Sequence, residues 1–205
     1  VFATGDVKNQ NLLITGGAGR VASYAIQWAK HAGAKVFTTA SNPLDADFCL
    51  EMGAEHVINH RNSSWGAELD SLCGDKKIDH VIDCEFGANL MNVLQCIRTG
   101  GVISTYGSTL DASPTIPFRD MMFKDLTIRM VIVYDMPESA KIDAVRDTQE
   151  MLYQDSFQHR IRTFSLEEIS QAHALVEEGG GGCCEGLQKR CGREEENFGG
   201  YVTEL

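Results

Sequence analysis

The chain has 205 residues, 43% hydrophobic and 23% charged, and a net charge of −11. That size and composition suit one α/β domain, or one domain plus shorter pieces. The acidic balance argues against non-specific binding to nucleic acid and against attraction to anionic membranes, and no run of about 18 apolar residues exists to span one. Val1–Lys8 has no basic stretch followed by an apolar one, so no signal peptide is expected.

The first strand is expected at Leu12–Thr15, followed by a glycine-rich turn and an amphipathic helix. Ala22, Ala25, Ile26 and Ala29 make the apolar stripe of that helix. Lys30 and His31 suit its negative C-terminal end, and Gly33 caps it. The turn reads Gly16-x-x-Gly19-x-x-Ala22. Gly16 permits a tight exit from the strand, Gly19 lets backbone approach a pyrophosphate, and small Ala22 permits close helix–strand packing. The N–H groups of Arg20 and Val21 then face phosphates at the positive end of the helix. A plain strand-to-helix turn uses such glycines for geometry alone, so the motif gains weight from its βαβ context.

The second strand is expected at Lys35–Thr39 and the next helix at Leu44–Met52. An NAD site wants Asp or Glu at the end of this strand, for the adenosine ribose hydroxyls. Thr39-Ala40-Ser41-Asn42 holds no carboxylate; Ser41 and Asn42 suit a 2′-phosphate instead. After the third strand, His56–Asn59, come His60 and Arg61. His60 offers a ring for the adenine or is an ordinary surface histidine; Arg61 offers a charge for the phosphate or is simply solvated. Asp45 lies close to this corner and opposes a phosphate. The balance favours NADPH over NADH.

Further on, a helix is expected at Trp65–Leu72, a strand at Ile78–Asp83, a helix at Asn89–Ile97 and a strand at Val102–Tyr106. The sixth strand, Thr127–Tyr134, reads either as a sheet edge open to another chain or as an internal strand covered by the helix expected at Ala140–Gln154. A last helix is expected at Leu166–Glu177. Regular alternation of short apolar strands and helices predicts an α/β, Rossmann-type, doubly wound parallel sheet in three layers. After Gly179–Gly182 no period of 2 or 3.6 survives, so 183–205 reads as a poorly ordered tail. The seven cysteines form no C-x-x-C pair. They read as small apolar filler in a reducing, cytoplasmic compartment, with no zinc or other metal site.

These segments together resemble the medium-chain dehydrogenase/reductase superfamily, in its zinc-independent quinone oxidoreductase branch. The resemblance lies in 13–22 (Leu-Ile-Thr-Gly-Gly-Ala-Gly-Arg-Val-Ala), 25–30, 52–61 (Met-Gly-Ala-Glu-His-Val-Ile-Asn-His-Arg), 100–108, 119–128 and 164–173, and covers about residues 7–182. It implies NADPH-dependent reduction of a quinone or another activated alkene or carbonyl, and a homodimer through Thr127–Tyr134. It places Gly19, Arg20 and Val21 at the pyrophosphate and Ser41 and Asn42 at the 2′-phosphate. His60 falls on the adenine side, and Gly107 and Ser108 in a loop lining the cofactor. Val133 and Tyr134 belong to the backbone that approaches the nicotinamide amide. Three departures stand out: Asp45 where the family often has Lys, Asp83-Cys84-Glu85-Phe86-Gly87 where it has Asp-x-Val-Gly-Gly, and Ala22 for the third glycine.

The resemblance divides the chain into a dinucleotide-binding domain at 1–155, a remnant of the return to a substrate domain at 156–182, and the tail. The family's N-terminal barrel-like substrate domain finds no match here. In this branch hydride passes straight to a small-molecule substrate, so no catalytic acid or nucleophile is named. The competing reading is a catalytically silent NADP-binding module. A short-chain dehydrogenase is disfavoured, since no Tyr has Lys four residues later. A methyltransferase is disfavoured too, since it usually wants an acidic residue after the second strand.

Overall fold

A computed structural model describes residues 5–154, 157–177 and the backbone of 183–187. Six strands, β1 (Asn11–Ile14), β2 (Lys35–Ala40), β3 (His56–Asn59), β4 (Ile78–Asp83), β5 (Ile97–Thr105) and β6 (Thr127–Met130), form one sheet in the order β3-β2-β1-β4-β5-β6. Every pairing is parallel. The connecting helices are α1 (Arg20–His31), α2 (Pro43–Met52), α3 (Trp65–Cys73), α4 (Phe86–Cys96), α5 (Phe118–Phe123) and α6 (Glu138–Tyr153). Order reverses between β1 and β4, where loops leaving the two strands diverge and open a crevice at their C-terminal ends.

The three layers follow from strand alternation. Leu12 and Ile14 of β1, Val36 of β2 and Ile82 of β4 pack with Ala22, Ala25, Ile26 and Ala29 of α1 and Cys49 of α2. The intervening residues Leu13, Phe37 and Val81 point the other way and pack with Trp65 and Leu69 of α3 and Leu90 and Val93 of α4. Successive side chains on a strand face opposite sides, so strands covered on both faces read as unbroken apolar runs. Past α6, the Phe157 ring meets Tyr24 and Trp28 of α1 edge-on, with centroids 5.5 and 5.4 Å away.

The chain divides into two compact units between Phe157 and Gln158. In the second, β7 (Ile161–Ser165) leads through a 3-10 turn at Leu166–Glu168 into α7 (Ile169–Glu177), and β8 (Cys183–Leu187) pairs parallel with β7. A capping box joins Ser165 and Glu168, the Ser165 N–H donating to the Glu168 carboxylate at 2.9 Å.

Four expectations are corrected. β6 ends at Met130 rather than Tyr134, because its partner β5 ends at Thr105. One more bond, Val131 N–H to the Thr105 carbonyl at 2.8 Å, closes the ladder, and a turn before Pro137 follows. β6 stands at the sheet edge, so the covered-strand alternative falls. α4 begins at Phe86 rather than Asn89, since the Phe86 ring is buried in the core. The segment 183–187 is a strand within the stretch expected to be a tail; pairing with a distant partner needs no local periodicity. Residues 188–205 lie outside the described residues. Helix α5 and strand β7 were not anticipated. Among the described residues no helix is long and apolar enough to cross a membrane.

Candidate functional site

Because all six strands run parallel, their C-terminal ends lie along one edge of the sheet. The expected site residues fall after five of the six strands at that edge: Gly16–Val21 after β1, Ser41 and Asn42 after β2, His60 and Arg61 after β3, Gly107 and Ser108 after β5, and Val133 and Tyr134 after β6.

The turn after β1 is built around glycine. Gly16 has φ +64°, a left-handed conformation that strains residues with a Cβ. Its N–H donates to Thr39 Oγ1 at 2.9 Å, and the Gly17 N–H donates to the Thr39 carbonyl at 2.9 Å. A Cβ on Gly17 would stand 2.2 Å from Thr38 Oγ1 and 2.8 Å from Cys49 Sγ, so this glycine is demanded by packing. Gly19 is the N-cap of α1; no side chain caps the helix and no acidic residue sits in its first turn. Such a helix end presents backbone N–H groups and a partial positive charge to an anion.

The corner after β2 and β3 is less open to a phosphate than its sequence suggests. Asn42 is the N-cap of α2: its Oδ1 accepts the Asp45 N–H at 2.9 Å, and its Nδ2 donates to Asp45 Oδ2 at 2.8 Å. The same Nδ2 lies 3.3 Å from Ser41 Oγ. His60 and Arg61 are exposed on the turn after β3. Partial burial and then the Arg61 charge push the His60 imidazole below its ordinary pKa, while Asp45 pulls it up. Beside this corner a groove of about 190 Å³ opens between the start of α2 and β3, lined by Ala40, Pro43, Ala46 and Val57 among others.

At the centre, Asp83 closes β4 and is fully buried. Its Oδ1 accepts the Thr15 hydroxyl at 2.6 Å, the Asn89 amide at 2.8 Å and the Glu85 N–H at 3.2 Å. Its Oδ2 has no hydrogen-bond partner among the described residues. The loops after β4 and β5 are clasped together. The Glu85 carboxylate accepts the N–H groups of Thr109 at 3.0 Å and Leu110 at 2.8 Å. The Gly87 N–H donates to Ser108 Oγ at 2.9 Å, and the Phe86 N–H to the Gly107 carbonyl at 2.9 Å. The bulky, charged Glu85 is thus taken up in holding the Gly107–Leu110 loop. Burial raises the pKa of the Cys84 thiol and of the Tyr106 phenol, so both stay neutral at physiological pH. Beyond β6, Ile132, Val133 and Tyr134 are exposed.

Sequence reasoning gave no site role to Thr15, Gly17, Thr39 and Asn89, and met Asp83 and Glu85 only as part of a departure from the family's pattern. A usable signal was present for some of them: Thr15, Thr39 and Asp83 are polar residues that follow apolar stretches at or just beyond the C-terminal ends of β1, β2 and β4, and all three are buried. Each therefore needs a partner. Among the described residues, no three His, Cys, Asp or Glu side chains come together to hold a metal ion.

A family model described as zinc-binding dehydrogenase matches residues 21–150. Quinone oxidoreductase of Pongo abelii is 27% identical over 175 residues, which cover 84% of this chain and 52% of that one. The 2-haloacrylate reductase of a Burkholderia species is 30% identical over 96 residues, 47% of this chain and 29% of that one. Among solved structures, the Escherichia coli quinone oxidoreductase complexed with NADPH superposes with a TM-score of 0.74 at 23% identity, over 86% of this chain and 56% of that one. The chain spans about half the length of the first of these curated relatives and of the solved structure.

Proposed function

Since the chain belongs to the zinc-binding dehydrogenase family, within the medium-chain dehydrogenases and reductases, we propose that it binds NADPH along the C-terminal edge of its sheet. We further propose that this binding serves reduction of a quinone or another activated alkene or carbonyl. The observation that carries the reading is the turn after β1: a left-handed Gly16, a Gly17 with no room for a side chain, and an α1 N-terminus left uncapped at Gly19. A helix N-terminus with neither a side-chain cap nor an acidic residue in its first turn fits a pyrophosphate. The relatives support the reaction class, being a quinone oxidoreductase and a 2-haloacrylate reductase.

The bound dinucleotide supplies the hydride; the protein supplies binding, orientation and a dry site. In this proposal the backbone N–H groups of Arg20 and Val21 hold the pyrophosphate. The Ser41 hydroxyl and the Arg61 guanidinium take the 2′-phosphate, with Asn42 capping α2 beneath them. The His60 ring lies beside the adenine. Gly107 and Ser108, held by the clasp to Glu85 and Gly87, line the nicotinamide half, and the backbone at Val133 and Tyr134 receives the carboxamide. The family's description names zinc; among the described residues no three His, Cys, Asp or Glu side chains come together to hold a metal ion. Two copies are proposed to pair through the edge at β6, where Met130 is 76% and Ile132 62% exposed.

Titration of the protein with NADPH and NADH, followed by their fluorescence, tests the cofactor. NADPH binding more tightly is expected; tighter binding of NADH overturns the assignment of Ser41 and Arg61. Turnover is then assayed with a quinone, a 2-enal and a 2-haloacrylate. NADPH binding without turnover of any of them returns the silent nucleotide-binding module.

A further inference from the structure

We propose that Glu85 is a positioning residue: by latching the loop after β5, it sets the distance between the phosphate turn and the part of the crevice that receives the nicotinamide. The inference rests on the dinucleotide reading above and adds to it the side chain that keeps the two ends of the site in register.

The latch is reciprocal. Both Glu85 oxygens are engaged: Oε2 accepts the Thr109 N–H at 3.0 Å and Oε1 the Leu110 N–H at 2.8 Å. Donation runs the other way from the first turn of α4. The Phe86 N–H donates to the Gly107 carbonyl and the Gly87 N–H to Ser108 Oγ, both at 2.9 Å, and Ser108 Oγ in turn donates to the Asp111 carbonyl. Close packing locks the same contact. A Cβ on Gly107 would stand 2.5 Å from the Cys84 carbonyl oxygen, and one on Gly87 would stand 2.6 Å from the Asp111 carbonyl oxygen. The start of α4 therefore serves the loop after β5 rather than an anion.

The other side of the same segment is anchored to β1. The Thr15 hydroxyl donates to Asp83 Oδ1 at 2.6 Å and accepts the Cys84 N–H at 3.0 Å, and the Glu85 N–H returns to Asp83 Oδ1 at 3.2 Å. Thr15 immediately precedes Gly16, where the phosphate turn begins. A continuous set of hydrogen bonds thus runs from the phosphate turn through Asp83–Gly87 to Gly107–Leu110. A dinucleotide touches both ends at once, so a loop free to drift weakens binding by the fraction of time it is out of place. The carboxylate adds little to the stability of the fold, because Thr109 and Leu110 are exposed and their N–H groups meet water when it is removed. Its negative charge repels an anionic ligand, so any gain in binding that it brings comes through the loop.

The test compares NADPH with 2′-phospho-ADP-ribose, which keeps the adenosine and both bridging phosphates and lacks only the nicotinamide. Each is titrated calorimetrically against wild type, Glu85→Ala and Glu85→Gln, and hydrogen exchange follows the Thr109 and Leu110 amides. In Glu85→Ala both amides are expected to exchange about tenfold faster and NADPH to bind about tenfold more weakly, while 2′-phospho-ADP-ribose stays within about twofold of wild type. Glu85→Gln keeps the length and one acceptor oxygen and is expected to recover part of the NADPH loss. Equal weakening of both ligands in Glu85→Ala marks general damage to the site and overturns the proposal. Unchanged or tighter NADPH binding overturns it too, since only the charge then matters. Unchanged amide exchange overturns the latch itself. If wild type binds neither ligand, the dinucleotide reading fails and this inference with it. If wild type binds both and Glu85→Ala leaves their ratio unchanged, that reading stands and this inference fails.

Discussion

Gly17→Ala tests the packing of the phosphate turn directly. The backbone at Gly17 is outside the left-handed region, so alanine meets no conformational barrier and even gains about 0.4–1 kcal/mol by restricting the unfolded chain. The cost is steric. The new methyl would lie 2.2 Å from Thr38 Oγ1, 2.8 Å from Cys49 Sγ and 3.1 Å from Ile26 Cδ1, all on buried side chains. Thr38 cannot yield freely, because its hydroxyl donates to the Ile14 carbonyl at 2.5 Å inside the sheet. Overpacking costs about 1–3 kcal/mol, and unpairing a buried hydroxyl and carbonyl costs about 1–3 more. The net loss is about 2–4 kcal/mol, a large share of the roughly 5–15 kcal/mol that holds a domain together. In a chain of this size that lowers Tm by roughly 5–15 °C. Circular dichroism melts measure it. In a Thr38→Ala background the clash is relieved, so Gly17→Ala is expected to cost about 1–2 kcal/mol less there. Gly19→Ala is the contrast: its Cβ meets only the Gly16 carbonyl at 3.0 Å, so Tm falls by only a few degrees while NADPH affinity drops tenfold or more. A Gly17→Ala melt within 2 °C of wild type, or strict additivity with Thr38→Ala, refutes the packing account.

Three further outcomes are expected. Burial pushes the His80 imidazole down to about 4, its Nε2 hydrogen-bonded to Ser104 Oγ at 2.8 Å. The folded state therefore favours the neutral ring: the contribution is complete above about pH 6.5 and is lost as pH falls toward 4, by about 3 kcal/mol in all. Urea titrations at pH 7 and 4.5 check it, since His80→Asn should lose about 2–3 kcal/mol less than wild type over that interval; parallel profiles would sink the idea. Asp83→Ala leaves the Thr15 hydroxyl and the Asn89 amide without their acceptor and should cost about 2–4 kcal/mol, measured by urea unfolding. A loss under about 1 kcal/mol would show that the carboxylate does not hold β1 to β4. If two copies pair at this edge as proposed, Ile132→Asp on the exposed extension of β6 should halve the mass seen in light scattering, and an unchanged mass counts against the pairing.

Much of the fold was legible in the sequence because its signals are local. The stripe Ala22, Ala25, Ile26 and Ala29 repeats with the helix period, and the helix α1 buries those four residues. The run at Leu12–Ile14 is apolar because both faces of its strand are covered, and Ile78, Val81 and Ile82 of β4 are buried for the same reason. The glycine turn announces itself through spacing, and Gly16 takes up the left-handed conformation its position requires. The site was legible only in outline. Ser41 and Asn42 follow directly on β2, and the pairing of the Asn42 amide with Asp45 comes from a cap geometry that residue types alone leave open.

The sequence by itself determined the order of strand and helix from β1 to β5, the parallel sheet they must form, and the glycine turn that opens α1 after β1. Each rests on neighbours within a few residues, where helix and strand periods act. Only the tertiary structure decided that Gly17 has no room because of Thr38 and Cys49, and that Thr15 ties β1 to Asp83 across 68 residues. It also decided that Glu85 is taken up in holding the Gly107–Leu110 loop, and that β6 stops where β5 runs out. Those contacts join segments far apart in the chain, so no spacing along the sequence encodes them; they exist only once six strands stand side by side.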